Sequence, residues 1–163
     1  MKQIELTQGK FAIVDDEDYK YLNQWKWCFI TAGYAQRVKH ISGSKKNRVL
    51  EHILLHRVLM NCSKGQQVDH INGDGLDNRR ENLRISTQAQ NVRNKGFSKN
   101  NTSGYKGVIF IKSGTRSKRW TARLTYNYKP ISLGYFDTSI EAAIAYNKAA
   151  SIYFGEFARL NQI

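Results

Sequence analysis

The chain has 163 residues, with 26 Lys and Arg against 13 Asp and Glu and a formal net charge of +13. That charge favours a polyanionic partner through steering and counterion release. Two cysteines, Cys28 and Cys62, without Cys-x-x-Cys spacing, argue against a disulfide framework and a zinc knuckle.

In chain order, Gln3–Leu6 and Phe11–Val14 flank a Gln-Gly turn and predict a hairpin. Asp15, Asp16, Glu17 and Asp18 open a segment with Tyr19, Leu22 and Trp25 at helical spacing, and acids there suit the positive end of a helix dipole. Trp27–Ile30 and Tyr34–Val38 predict a second hairpin across a Thr-Ala-Gly turn. After the polar loop Ser42–Asn47, Val49 to Met60 starts extended and turns helical through Leu54, Leu55, Val58 and Leu59. Gln67–Ile71 and Leu83–Ile85 read as short strands around the turn chemistry of Asn72-Gly73-Asp74-Gly75. Thr87-Gln88-Ala89-Gln90 matches a capping box, which starts a helix at Gln88 with Asn91 in its first turn.

Residues 96–104 read as a polar linker. Beyond it, Lys106–Ile111, Arg119–Thr125 and Ile131–Gly134 predict three strands. Thr138-Ser139-Ile140-Glu141 then caps a helix that runs to about Phe154 and ends at Gly155. Alternation sets Trp120, Ala122 and Leu124 against the Ala-rich face of that helix and points Arg119, Thr121, Arg123 and Thr125 outward. The fold class expected is α+β: a small β-rich N-terminal region, a central ββα motif, and a C-terminal three-stranded antiparallel sheet packed on one helix. The domains expected are 1–95, with the motif at about 66–95, then the linker, then 105–163.

The chemistry concentrates in Asp69-His70, the Asn/Gly loop, Asn82 and Asn91. A histidine titrates near neutrality and can take a proton from water. Asp and Asn oxygens suit a hard, mostly hydrated cation. Between Glu81 and Asp137 there is no carboxylate, while Lys and Arg recur. A metal-and-base site joined to a basic surface predicts hydrolysis of a nucleic-acid phosphodiester. Asp74 and Asp77 read as turn and cap residues, and His56 as a scaffold histidine that could reach a phosphate. Arg84 and Arg93 flank the motif and could clamp phosphate.

The segment VDHINGDGLDNRRENLRISTQAQN resembles the His-Asn-His (HNH) endonuclease family, in the branch of phage and intron-borne homing endonucleases. The opening LTQGKFAIVDDEDY … WKW … GYAQR … LHRVLM also resembles the segment that precedes the motif in phage members. The resemblance implies a ββα-metal site with His70 as general base, Asn82 holding the loop and His70 in position, and Asp69 and Asn91 binding one Mg²⁺ or Mn²⁺ ion. Asn91 stands where many members have a third His. That favours Mg²⁺ over Zn²⁺ or Ni²⁺, since an amide oxygen is harder than imidazole.

The tail GYKGVIF … RWTARL … ISLGYFDTSIEAAIAYNKAA resembles the plant ethylene-response-factor (Apetala-two type) DNA-binding domain. This implies DNA reading by the sheet, with Lys106, Lys112, Arg119, Thr121, Arg123, Thr125 and Lys129 as contacts, and Lys95 and Lys99 of the linker following DNA. Ile109 and Ile111 replace arginines of plant members and either touch thymine methyls or are buried. The expected function is a homing-type, metal-dependent endonuclease acting on double-stranded DNA, either nicking or cutting both strands. The rival is a non-catalytic, sequence-specific DNA-binding regulator. The N-terminus lacks an apolar stretch of signal-peptide length and no membrane-spanning run occurs. The protein is therefore expected in the cytoplasm of a bacterial host, phage-encoded, with no membrane or protein partner, as a monomer or weak dimer.

Overall fold

The computed structural model describes residues 1–98, 100–113 and 117–163. The fold is α+β, built from small antiparallel sheets and four α-helices, and it divides into two compact units, Met1–Asn91 and Val92–Ile163.

In the N-terminal unit, β1 (Lys2–Glu5) pairs with β2 (Phe11–Val14), and α1 (Asp16–Leu22) follows. A three-stranded sheet comes next, β3 (Cys28–Ile30), β4 (Tyr34–Ser42) and β5 (Val49–Leu54), with β4 in the middle. The predicted second hairpin is therefore extended by a third strand and runs out as a ribbon whose residues 38–52 are all exposed. The short helix α2 (Leu55–Leu59) leads to β6 (Gln67–His70), β7 (Leu83–Ser86) and α3 (Gln88–Asn94). This is the ββα unit expected from the sequence. Its core is one cluster that includes Ile4, Val14, Leu22, Trp27, Leu55, Val68 and Leu83. β6 and β7 thus each send one face into a core shared with the N-terminal hairpin.

The capping box forms as predicted. The Gln90 amide N–H donates to Thr87 Oγ1 at 3.3 Å, and the Thr87 N–H donates to Gln90 Oε1 at 2.8 Å. These bonds satisfy donors that the first helical turn otherwise leaves orphaned, and they start α3 where Asn91 falls in its first turn.

In the C-terminal unit, β8 (Val108–Phe110), β9 (Trp120–Tyr126) and β10 (Lys129–Phe136) form an antiparallel sheet with β9 central, packed on α4 (Ser139–Phe154). The predicted alternation holds where it decides the packing: Ala122 and Leu124 are buried, while Arg123 and Thr125 are exposed. Ala142, Ala143, Ala149 and Ala150 let the helix lie close to the sheet, and Tyr146 fills the remaining space. Burial raises the Tyr146 phenol to about 12.

Gly107 makes this approach possible. Its φ is +75°, and a Cβ there would sit 2.2 Å from the Tyr146 ring and 2.7 Å from the Arg123 carbonyl oxygen. Gly107→Ala is expected to lower the stability of the C-terminal unit by about 1–3 kcal/mol through overpacking and backbone strain. Chemical denaturation of wild type and variant measures this, and equal stability would show that the Tyr146 contact is slack.

Candidate active site

The site is organised by β6, β7 and the loop between them. In register, Asp69 lies opposite Arg84 and His70 opposite Leu83. Alternation sends Val68 and His70 to one side of β6, and Gln67 and Asp69 to the other. Val68 and Leu83 belong to the core, so His70 rises from the core side at the end of the strand.

The loop is held by side-chain amides standing in for backbone partners. Asn82 Oδ1 accepts from the Asn72 N–H at 3.0 Å, and its Nδ2 donates to Asn72 Oδ1 at 3.0 Å and to the Asp77 carbonyl at 2.7 Å. Asp74 Oδ1 accepts from the Leu76 N–H at 2.9 Å, the turn role expected of it. Asp77 is buried and receives Arg79 Nε at 2.8 Å and Arg79 Nη2 at 2.7 Å. The Arg79 hydrogen bonds hold the Asp77 carboxyl below the ordinary range.

The loop is also stitched to β2. The Ile13 N–H donates to the Leu76 carbonyl and the Asn78 N–H donates to the Ile13 carbonyl, both at 2.8 Å. The acids of α1 contribute a further anchor. Asp15 accepts from the Arg80 N–H at 2.8 Å, and buried Asp18 takes the Arg80 guanidinium at 2.7 and 2.8 Å. The sequence reading assigned these acids to the positive end of a helix dipole; Asp15 and Asp18 also fix the turn that carries Asn82.

His70 sits in a cluster of rings. It stacks on Tyr34 with centroids 5.8 Å apart and meets His56 edge-on at 5.0 Å, and His56 meets Tyr34 at 5.0 Å. Gly75 permits this arrangement, since a Cβ there would lie 2.4 Å from the Gly33 carbonyl oxygen and 2.6 Å from Tyr34 Cδ1. Asn78 Oδ1 meets His70 Nε2 at 3.3 Å. Asn78 is fully buried and escaped the sequence reading, in which it was one Asn among several in a polar loop. Burial pushes His70 down, opposed by the Asn78 hydrogen bond and the nearby Asp69. The effect is stronger at His56, where burial, with His70 and Arg57 adding to it, lowers the imidazole to about 3.

On the other side of β6, the buried Asp69 Oδ2 receives Arg84 Nε at 2.9 Å and Arg84 Nη2 at 2.7 Å. Asn91 Nδ2 donates to Gln67 Oε1 at 2.8 Å, which turns the amide of Asn91 toward the side of the strand that carries Asp69. Among the described residues no three His, Cys, Asp or Glu side chains gather as a metal-binding group. The two side chains expected as ligands, Asp69 and Asn91, offer one carboxylate and one amide oxygen, a pair that would suit a hard cation keeping most of its water.

The other expected contacts divide. Thr121, Arg123 and Thr125 share the outward row of β9, with Ile109 opposite Thr121 and partly exposed. Arg119 folds back, donating to the Ile111 and Lys112 carbonyls at 2.8 and 2.7 Å. Lys129 pairs with Tyr126 and so lies off that row, while Lys112 and Lys95 are exposed. Arg93 lies over the Tyr126 and Phe154 rings at 5.3 and 5.1 Å. Lys106 donates its ammonium to the Arg93 and Lys95 carbonyls, and burial lowers it to about 8. Lys99 lies outside the described residues.

Comparison with known proteins places these features. The HNH endonuclease family model matches residues 61–93, the segment from the end of α2 through the ββα unit. An uncharacterized HNH endonuclease of Acanthamoeba polyphaga mimivirus is 30% identical over 162 residues, spanning 96% of this chain and 77% of that relative. Protein 3.8 of Escherichia phage T7 is 31% identical over 96 residues, 59% of this chain and 76% of the relative. No solved structure matches.

The buried histidines predict an acid-sensitive fold. Folded His56 stays neutral down to about pH 3, whereas the unfolded chain protonates it near 6.5. Between those values the unfolded state binds a proton that the folded state refuses, so stability is lost as pH falls from about 6.5 toward 3. His70 is displaced in the same direction. The melting temperature of the N-terminal unit should drop as pH is lowered from about 7 to 4, with a shallower slope in His56→Leu. Identical slopes in the two proteins would remove His56 as a source of the effect.

Proposed function

The chain belongs to the HNH endonuclease family, and on that footing we propose that it is a metal-dependent DNA endonuclease of the homing type, with His70 as general base. The observation that carries this reading is a proton acceptor set beside ligand oxygens. His70 stands at the end of β6, next in sequence to Asp69, and Asn91 is tied to Gln67 of the same strand. The base and the Asp69 carboxylate come from consecutive residues on opposite sides of β6, which keeps the imidazole out of the proposed ligand set, and the Asn91 amide comes in from α3.

In this reading Asp69 and Asn91 hold one Mg²⁺ or Mn²⁺ ion. A cation there supplies Lewis-acid stabilisation of charge on the scissile phosphate and the departing 3′ oxygen. His70 accepts a proton from water. The resulting hydroxide forms the new bond to phosphorus, and the P–O3′ bond breaks. Asn82 keeps the loop closed beneath the base. The basic balance of the chain draws it to the polyanion. The domain division we propose is a nuclease in 1–95, a connecting segment in 96–104 and a reader in 105–163.

In the reader, Arg123, Thr121 and Thr125 on the outward row of β9 meet base edges and Lys112 and Lys129 meet phosphates, joined by Lys95 at the edge of the connecting segment. Coupling a weakly specific cutter to a separate reader raises the effective concentration of the cutter at its target. The setting we infer is a phage or mobile element in a bacterial host, in keeping with viral and phage relatives.

Incubation with plasmid and Mg²⁺, with and without chelator, tests the reading directly. His70→Ala should lose about 10²–10⁴ in cleavage rate, the usual worth of a general base, while still binding DNA. Cleavage within tenfold of wild type would take His70 out of that role. Asp69→Ala and Asn91→Ala should each raise the Mg²⁺ concentration needed for half-maximal cleavage or abolish cleavage; an unchanged titration in Asn91→Ala would place the second ligand elsewhere.

The reader has its own test. Arg123→Ala should relax preference at particular base pairs by about 1–3 kcal/mol if its contact is bidentate. Binding-site selection on wild type and variant measures this, and identical preferences would assign recognition to another surface.

A further inference from the structure

We propose that Tyr128, at the tip of the β9–β10 hairpin, is a contact for the sugar–phosphate backbone of double-stranded DNA. The proposal rests on the reading of the C-terminal sheet as a DNA-binding surface, and its experiment separates the two.

The turn is tight. Tyr126 pairs with Lys129, so the hairpin closes through a two-residue loop, Asn127 and Tyr128. Both residues have positive φ, +48° and +63°. That is the requirement of a type I′ turn, in which Asn followed by Gly is a favoured pair. Asn127 meets the preference and Tyr128 departs from it. The left-handed region crowds the Cβ of an L-residue against its own backbone, a cost that glycine escapes. Among the described residues the non-glycine positions with positive φ are Gln8, Asn61, Asn127 and Tyr128, and Tyr128 is the one aromatic. Packing within the fold does not offset this cost, because Tyr128 is 99% exposed.

A strained and exposed side chain points to a use outside the fold, and its surroundings indicate the partner. The exposed Lys129 follows it, and no carboxylate stands between Glu81 and Asp137 to repel a phosphate. The turn also lies next to the end of the outward row of Thr121, Arg123 and Thr125. That row is roughly 13 Å long at about 3.3 Å per residue, close to the ~12 Å width of a major groove. A row of this length fills the groove floor, and the turn beyond it falls at the sugar–phosphate wall. A tyrosine suits that wall: its ring lies on deoxyribose, and its hydroxyl donates to a phosphate oxygen beside the Lys129 ammonium. The contact adds affinity without sequence preference, since backbone contacts do not distinguish base pairs.

Binding of the full chain to a fluorescently labelled mixed-sequence duplex, with chelator present to prevent cleavage, tests this alongside thermal melting. Tyr128→Gly completes the Asn-Gly pair, and its C-terminal unit should melt about 2–5 °C higher than that of wild type. The same variant should bind the duplex about tenfold more weakly, having lost the ring. Tyr128→Phe keeps the ring and loses the hydroxyl, and it should bind about twofold to fivefold more weakly. Neither variant removes a charge, so the slope of log affinity against log salt should keep its wild-type value. Tyr128→Gly that binds as tightly as wild type overturns the proposal and leaves the sheet as a DNA reader. Tyr128→Gly that melts lower than wild type also overturns it, because the ring then serves the fold. Failure of the wild type to bind the duplex removes the DNA reading and the proposal together.

Discussion

Closure of the loop between β6 and β7 by buried amides is the constraint on which the site depends. Ordering each loop residue costs roughly 1–2 kcal/mol of backbone entropy, and this loop has too few apolar residues to offset that by burial. The compensation is polar. Asn82 bridges Asn72 and Asp77, Asn78 bridges Leu76 and His70, and the edge of β2 takes up two backbone groups. Apart from the exposed Asn72, these partners are buried or half-buried, so leaving one of them unsatisfied would cost more than the bond contributes when made. The same network that orders the chain therefore locates His70.

Charge is distributed to match. Every carboxylate before position 137 lies at or before Glu81. Several of those are committed within the N-terminal unit: Asp15 and Asp18 to Arg80, Asp77 to Arg79, Asp69 to Arg84. The internal pairs neutralise one another, and the long carboxylate-free stretch that follows carries the positive field. Net charge alone conveyed the sign of the partner, but not which cations are spent internally. Arg84 lies on Asp69, Arg93 on two aromatic rings and Lys106 on backbone carbonyls.

Elements with local signatures could be read from the sequence. The reciprocal bonds of Thr87 and Gln90, the Thr138 cap of α4, and the inward row of Ala122 and Leu124 follow from patterns a few residues long. Partnerships across the chain could not. Asp18 and Arg80 are 62 positions apart, and the Tyr34–His56–His70 cluster joins three separate elements. Nothing in the composition of an Asn-rich loop marks Asn78 as the amide that turns inward. That depends on β2 running beside the loop, which is a fact of topology. Likewise the extended start of the Val49–Met60 segment was legible, but its pairing with β4 as a third strand was not, because its exposed residues carry no half-buried alternation to fix a partner.

The Asp69–Arg84 pair shows how a buried carboxylate is accommodated at the position proposed as a metal ligand. A carboxylate with 4% of its surface exposed pays a desolvation penalty that the two Arg84 hydrogen bonds offset. The geometry is that of a planar fork on one oxygen, which holds the carboxylate in a single orientation on β6. His70 receives the opposite treatment: it is set among rings and an amide rather than beside a cation, surroundings that favour its neutral form, as the proposed base role requires. One strand thus supports a charged residue and a neutral one in succession. The alternation of β6 makes this work, because consecutive side chains enter different environments although their backbones are joined. A one-residue slip of β6 against β7 would exchange those environments, and the Val68 and Leu83 contacts with the core are what oppose it.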